Sequence, residues 1–566
     1  MLICGLKLTH DGAVALLDDQ RLIFSVEMEK LANNKRFTSI EDSSEIEAIL
    51  ATAGVRPEQV DVFAVDGWGG VNADALAIQP RLILGEGHNL LTYASRGEAK
   101  SLAIAPYQET LNIAVTAEAR FEGLHIGDRA YPYSSILHVS GHIFSAYGTS
   151  PFAARGESAY VLIWDGGMLP RLYFVDAEKR KVDSLGPIFM LVGNVYTIFS
   201  QHFGPFKTGT GFAKDSLSVA GKVMAYIALG TLHEEWLPLL DRLYREHNDG
   251  SMGFANVLAN KFKETVPEDA RRDEDVLLTF HVFLERLLRE KLLKKVRSRE
   301  AGKVNLCFAG GCALNIKWNS ALRASGQFVD VYVPPFPNDS GSALGAAACA
   351  LFNRTGKAAL DWSVYSGPAL LKSEPASGWR SQSCDAERLG ELLHETQEPV
   401  AFLQGRSELG PRALGARSII ASPQNPKMKD LLNELKEREP YRPVSPICLE
   451  DRAGQVFTPG IPDPFMLFDH QVRPEWLRRI PAVVHLDGSA RLQTLTERDT
   501  PELARVIRAY EKVSGIPVIC NTSANYKGAG FFPDVASATR WGRTNYVWSD
   551  GVLHERADRH PFLTLR

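Results

Sequence analysis

Apolar residues come in short blocks along the first part of the chain. Residues 2–8 form one block, which ends at Thr9-His10-Asp11-Gly12. Ala13–Leu17 form a second, and after Asp18-Asp19-Gln20 a third covers Leu22–Val26. Blocks of this length bounded by turn residues predict three strands joined by tight connections. The layout returns roughly 155 residues later: apolar Tyr160–Trp164, the turn Asp165-Gly166-Gly167, Leu172–Val175, a charged turn and Val182–Leu185. Two copies of strand, Asp-Gly turn, strand, turn and strand predict a duplicated domain with a cleft between its halves.

Between and after the copies the apolar period changes. Leu137–Tyr147 has helical character, and Arg272–Arg297 reads as a long amphipathic helix with a basic C-terminal end and a structural role. Next come a strand over Val304–Ala309, the pair Gly310-Gly311, a helix from about Ala313, and a strand over Val329–Val333. Pro334–Asp339 then leads into the small-residue helix Ser342–Leu351. The expected division is a first domain over 1–360 built of two similar halves, a linker with some local structure over 361–395, and a second domain over 396–566.

Composition narrows the classes. The chain has 566 residues, 45% apolar and 23% charged, with a net charge of −4, a balance that allows a large core and argues against a general polyanion-binding surface. No nucleic-acid partner is expected. No run reaches the roughly 20 apolar residues of a membrane span, and MLICGLKLTHDG lacks the layout of a signal peptide. The seven cysteines are scattered with no C-x-x-C pair, as reduced thiols of a cytoplasmic protein would be.

Several stations carry candidate chemistry. His138 and His142 stand at i and i+4, on one helix face and close enough to share a metal; the plainer reading is a pair of core or capping histidines. Asp165 closes a strand and Asp339 sits in PFPNDSGSALG, both where a duplicated fold brings loops to one cleft. Singly they read as a turn aspartate and a helix cap. Together the four make a mixed nitrogen and oxygen donor set suited to Fe(II), Zn or Mn. His10-Asp11 at the first hairpin tip could orient a substrate hydroxyl or act as a base, or be an exposed turn pair. Gly310 and Gly311 allow close approach of a phosphate or adenosine, or tight helix–sheet packing, and Asn315 and Asn319 share a side of the following helix.

Basic residues gather from Arg406 to Arg442, where eight Lys or Arg are interrupted by five acids. Lys427, Lys429 and Arg438 fit a solvated helix face. Arg406, Arg412, Arg417 and Arg442 lie beside Gly or Pro, where planar guanidinium forks suit phosphate or carboxylate oxygens. Further on, His485–Arg491 and Cys520–Asn525 supply another cation and hydroxyl and amide groups. A structural ion-pair network is the alternative.

The segments GGCALN, PFPNDSGSALGAA, SELGPRALGARSIIASP, REPYRPVSP, HLDGSARLQT and PVICNTSAN resemble, in order, the motifs of the NodU/CmcH family of carbamoyltransferases, which serve nodulation factors, cephalosporins, aminoglycosides and ansamycins. The resemblance runs from the His10-Asp11 tip to Asn525. It implies an α/β and α+β chain: an N-terminal actin-like (ASKHA) domain of the Kae/TsaD type and a C-terminal YrdC-like domain. It implies ATP, with Mg2+, and carbamoyl phosphate as substrates. Carbamoyladenylate forms in the YrdC-like domain, and the carbamoyl group then passes to a hydroxyl of a natural-product alcohol, as in antibiotic biosynthesis. By the same resemblance Arg412, Lys436, Arg442, Arg491 and Ser523 match positions that bind carbamoyl phosphate and nucleotide, with Arg417 and Asn521 beside them. His138, His142, Asp165 and Asp339 match ligands of iron, and His10 lies near the acceptor hydroxyl. Three departures stand out. Val139 replaces a family histidine, Gly221–Ala228 departs from the usual lysine motif in a loop by the acceptor, and GAGFFP lacks the customary Glu-Pro. Transfer of threonylcarbamoyl to tRNA and a non-catalytic nucleotide-binding module are the alternatives, and a homodimer is left open.

Overall fold

The computed structural model describes residues 1–69, 81–83, 88–208, 216–300 and 302–559. Two compact units account for them: Met1–Ser25 with Phe37–Ser363, and Val26–Arg36 with Val364 to the end of the chain.

Beside a small three-stranded sheet of Arg81–Ile83, Asn89–Ser95 and Glu98–Ile104, the first unit holds two larger sheets of like plan. Strands β1 (Leu2–Lys7), β2 (Ala13–Asp18), β3 (Arg21–Glu27), β4 (Val62–Asp66), β5 (Glu118–Ile126) and β6 (Arg129–Ile136) lie in the order β3-β2-β1-β4-β6-β5. Strands β7 (Ala159–Ile163), β8 (Arg171–Asp176), β9 (Lys181–Pro187), β10 (Val304–Ala309) and β11 (Phe328–Tyr332) follow the order β9-β8-β7-β10-β11. β1 pairs antiparallel with β2 and parallel with β4, as β7 does with β8 and β10. The repeat seen in the apolar pattern is thus a repeat of topology, the first copy carrying β5 as an additional edge strand.

Three helices of this unit stand out: α1 (His138–Gly148), the long α2 (Asp273–Arg297) and α3 (Ser342–Thr355). α3 opens Ser-Ala-Leu-Gly-Ala-Ala-Ala-Cys-Ala because it is buried along that whole length, between β1 and α1. A Cβ on Gly345 would collide with the carbonyl of Gly141 in α1, and one on Gly5 of β1 with the carbonyl of Ala343. Glycine is therefore required at both crossings for close backbone approach. Gly221–Ala228, expected as a loop, is helical instead, within Ser216–Tyr226 and the turn after it. Val223 and Ile227 are buried there, a helical i, i+4 apolar pair that decides the conformation.

The second unit is built on β12 (Trp379–Ser383), β13 (Val400–Leu403), β14 (Arg417–Ala421), β15 (Ser445–Leu449), β16 (Gln493–Leu495), β17 (Val518–Ser523), β18 (Tyr546–Ser549) and β19 (Val552–Arg556), in the order β12-β19-β18-β13-β14-β17-β15-β16. Within 361–395, the stretch expected to link the domains, β12 pairs with β19 and the helix Ala386–Thr396 begins, buried on Leu389 and Leu393. Helix α4 (Lys427–Leu435) packs Met428, Leu431 and Leu432 inward. Among the described residues no helix is long and apolar enough to cross a membrane.

The crossing of α1 and α3 gives a direct test. Gly345→Ala is expected to lower the urea unfolding free energy by about 2–3 kcal/mol or to prevent folding, because the obstructing atom is backbone and cannot turn aside.

Candidate functional site

Helix α1 begins at His138, so His138 and His142 share a face one turn apart, and both are fully buried. Asp165 follows β7 and Asp339 precedes α3, so the second copy supplies the two carboxylates. One ligand atom from each of the four lies within 4.8 Å of every other. His138 Nε2 and His142 Nε2 are 3.2 Å apart, and each is 3.5 Å from Asp339 Oδ1.

The surroundings fix how the imidazoles present themselves. Asp66, at the end of β4, sits 2.8 Å from His138 Nδ1; a carboxylate only accepts, so Nδ1 carries a proton, and it is loss of the other proton, from Nε2, that frees a lone pair toward the centre. Asp165 is held from both sides: Gly311 N–H donates to Oδ1 at 2.7 Å and Tyr107 Oη to Oδ2 at 2.5 Å. Lys7, at the end of β1, is buried between Asp66 Oδ2 at 3.1 Å and Asp339 Oδ2 at 3.0 Å, and lies 3.9 Å from the centre of the Trp68 ring. Two nitrogen and two oxygen donors, converging and individually oriented, fit a divalent metal of the first transition row.

The charges explain the titration behaviour of these groups. Burial opposes charge on Lys7, but Asp339 and Asp66 outweigh it and raise the ammonium above its ordinary value. Burial likewise opposes charge on His138, and the same two carboxylates carry it up to about 9 in the metal-free protein. Asp339 is held well below the carboxylate range: burial works against this, and Lys7, His138 and His10 prevail.

His10 is half-buried at the tip of the β1–β2 connection. Its Nδ1 is 2.8 Å from Asp11 Oδ2, its Nε2 is 3.6 Å from Asp339 Oδ2, and its ring stands edge-on to Trp68. Asp11 takes φ +55°, the left-handed turn conformation aspartate tolerates. The Gly310-Gly311 pair serves packing and Asp165: Gly310 takes φ +89° where a Cβ would meet the Trp164 carbonyl, and the Gly311 N–H is committed to the Asp165 carboxylate. Asn315 caps the helix Ile316–Ala324 by accepting from Trp318 N–H.

The second candidate site lies in the second unit. Arg412, Arg438, Arg442 and Arg491 are half-buried, and their charges act on one another. Burial, then Arg491, Arg36, Arg442 and Arg438, push Arg412 well below the usual guanidinium value; its Nε is buried without a hydrogen-bond partner among the described residues. Burial and Arg442 take Arg491 down to about 10, and burial followed by Arg442, Arg491 and Arg36 takes Arg438 to about 9. Since an arginine stays protonated, this is repulsion that an entering anion relieves.

The supports differ residue by residue. Arg417, expected to bind ligand or brace the turn, is 1% exposed and directs its fork to the carbonyls of Gln404, Gly405 and Ala416, so it braces the turn. Lys436 donates to the carbonyls of Ser523 and Asn525 and to Asn525 Oδ1. Asn521 donates to the Ala413 carbonyl and to Gln493 Oε1, behind the Arg412 turn. Arg438, read from sequence as part of a solvated helix face, belongs to the site instead. α4 ends at Leu435, Glu437 takes φ +48°, and the reversal sends Arg438 to Thr522 Oγ1 at 2.9 Å and Ser523 Oγ at 3.1 Å. Tyr107, Lys7, Asp66 and Trp68 were also missed. A lysine closing the apolar run LICGLK and an Asp-Gly after the apolar run of β4 were the available signals.

Comparison with known proteins identifies the family. Residues 2–349 match the family model of the carbamoyltransferase N-terminus, and 391–547 that of the carbamoyltransferase C-terminus. The chain is 46% identical to nodulation protein U of Sinorhizobium fredii over 572 residues, covering 98% of this chain and 99% of that protein. It is 47% identical to nodulation protein U of Rhizobium tropici over 569 residues, 98% and 96% of the two chains. With the 3'-hydroxymethylcephem-O-carbamoyltransferase of Streptomyces clavuligerus it shares 34% identity over 545 residues, 96% of each.

The geometry predicts two outcomes. Asp66→Asn is expected to weaken metal binding by about 10- to 100-fold in equilibrium dialysis, because the imidazole loses the partner that fixes its tautomer. Inorganic pyrophosphate at about 100 times its dissociation constant is expected to stabilise the protein by about 2.7 kcal/mol in thermal unfolding. Arg412→Ala should lose most of that gain.

Proposed function

The chain belongs to the carbamoyltransferase family, and we propose that it joins a carbamoyl group to ATP in the second unit and transfers it to an alcohol in the first. This reading assigns the duplicated first unit to the actin-like Kae/TsaD class and the second to the YrdC-like class. The observation that carries it is the contrast between the two centres: one gathers four guanidinium groups whose charges press on one another, the other sets buried carboxylates against Lys7 and His138.

Carbamoyl phosphate and ATP bring several negative charges together, and they must be offset before the reactants can meet. Arg412, Arg438, Arg442 and Arg491 supply the cations. Lys436 holds the Ser523–Asn525 turn, and Ser523 presents its hydroxyl at the same place. Water cleaves carbamoyl phosphate to carbamate and phosphate. A carbamate oxygen then displaces pyrophosphate at the α-phosphorus of ATP, giving carbamoyladenylate.

In the first unit His10 is the base. Asp11 accepts from Nδ1–H, which leaves the Nε2 lone pair to take the proton of the acceptor hydroxyl as its oxygen attacks the carbamoyl carbon and AMP departs. His138, His142, Asp165 and Asp339 would hold the metal, Fe(II) in this reading, which supplies Lewis-acid polarisation of the adenylate. Asp66 and Tyr107 orient two of those ligands, and Lys7 keeps the carboxylates from repelling each other. The resemblance to nodulation protein U at 45–47% identity, against 34% for the cephem enzyme, favours a nodulation-factor hydroxyl as acceptor.

The test is incubation with ATP, carbamoyl phosphate and either a nodulation factor or 3'-hydroxymethylcephem. AMP and an alcohol heavier by one carbamoyl unit are expected, with the nodulation factor the better acceptor. Arg412→Ala should slow pyrophosphate release by about 10²–10³-fold. His10→Ala should leave that release intact and slow ester formation by about 10²–10⁴-fold. Pyrophosphate release by Arg412→Ala at the wild-type rate would contradict the assignment.

A further inference from the structure

We infer that Val26–Arg36, the N-terminal stretch that folds with the second unit, is a working part of the cationic site: Glu27 and Lys30 are positioning residues for the Arg412 turn. The inference rests on the reading of that site as the adenylate-forming one.

Lys30 is buried, with its side chain 1% exposed, and its ammonium has three acceptors: Glu408 O at 2.5 Å, Gly410 O at 2.9 Å and Glu27 Oε1 at 2.8 Å. Glu27, 4% exposed, takes the Gly410 N–H on the same Oε1 at 2.6 Å. The pair therefore grips both polar groups of Gly410, two residues before Arg412, where the backbone is in the left-handed region at φ +82°. From the other side, Glu408 Oε1 accepts the N–H groups of Leu414 and Ala416. Arg412 thus stands on a loop whose two limbs are tied to buried carboxylates.

A buried ion pair gives little net stability over an apolar pair of equal volume, but it fixes direction. What is fixed here is the peptide that aims Arg412, a guanidinium pressed by like charges that would otherwise swing it outward. The rest of the segment docks on the loop that follows Asn525 and on Ser537 of the next helix. Arg36 N–H donates to Gly528 O at 3.0 Å, Gly530 N–H to Asn34 O at 3.0 Å, and Asn33 Nδ2 to Ser537 Oγ at 3.2 Å. Gly530 has no room for a Cβ against the Glu29 carbonyl. The segment so joins the 408–412 turn to the loop after Ser523–Asn525. Its last residue, Arg36, pairs with Glu29 at 3.8 Å.

The experiment uses the full chain with Lys30→Met, Arg412→Ala and the double variant, reading KM for carbamoyl phosphate and kcat for pyrophosphate release alongside urea unfolding. Lys30→Met is expected to raise KM by about tenfold or more in protein that remains folded. In the Arg412→Ala background it should add less than about threefold, because the lock acts through Arg412. An unchanged KM, or equal effects in both backgrounds, overturns the inference. Should Lys30→Met fail to fold, Glu27→Gln is the second variant: it keeps an oxygen for the Gly410 N–H, removes the charge opposite Lys30, and is expected to show the same non-additivity. Wild-type protein that releases no pyrophosphate overturns the functional reading and this inference with it. Active wild type with additive variants overturns this inference alone.

Discussion

Holding several guanidinium groups together, half out of water and with Glu439 3.6 Å from Arg442 at their edge, is the constraint on which the second unit depends. Repulsion at short range in a medium less polar than water is severe, and a flexible loop would relieve it by swinging outward. The chain prevents this by turning nearly every other polar group at the site into a support. Arg417 is spent on three carbonyls, Lys436 on the Ser523–Asn525 turn, and Asn521 on the Ala413 carbonyl. The Gly- and Pro-rich turn is rigid by attachment to its neighbours. An anion entering such a cluster would meet preset donors and remove repulsion.

The first unit solves the opposite problem. Its carboxylates Asp66 and Asp339 are buried where they would repel each other, and the chain interposes Lys7 and two imidazoles. That centre already sets its buried carboxylates against Lys7 and His138, and its groups are oriented by mutual contact: Asp66 sets His138, and Tyr107 with Gly311 sets Asp165. A centre that already holds its own carboxylates does not draw in anions, whereas a cluster of guanidinium groups suits the gathering of them.

Much of this was legible in the chain. The repeated strand pattern foretold two sheets of like topology, and the spacing of His138 and His142 foretold their common face. Arg438 was not legible, because its charge fits a helix surface and only the reversal at Glu437 turns it inward. Lys7 and Asp66 sit at strand ends, where local pattern gives no hint that two parallel neighbours bring them together. The partnership of Glu27 and Lys30 with a turn almost 400 residues away leaves no trace in local periodicity. Gly310, Gly311 and Asn315 show the converse: glycine pairs and asparagines attractive as ligand contacts are used in packing, in holding Asp165 and in capping a helix.

The central claim is that making the activated carbamoyl group and spending it are separate tasks of separate centres. The most direct measurement is exchange of labelled pyrophosphate into ATP, dependent on carbamoyl phosphate, in protein treated with a chelator to remove any transition metal, resupplied with Mg2+ and given no acceptor alcohol. The account predicts that exchange continues near the rate of the metal-loaded protein, while ester formation on later addition of the alcohol stops. Loss of exchange together with the metal would contradict it.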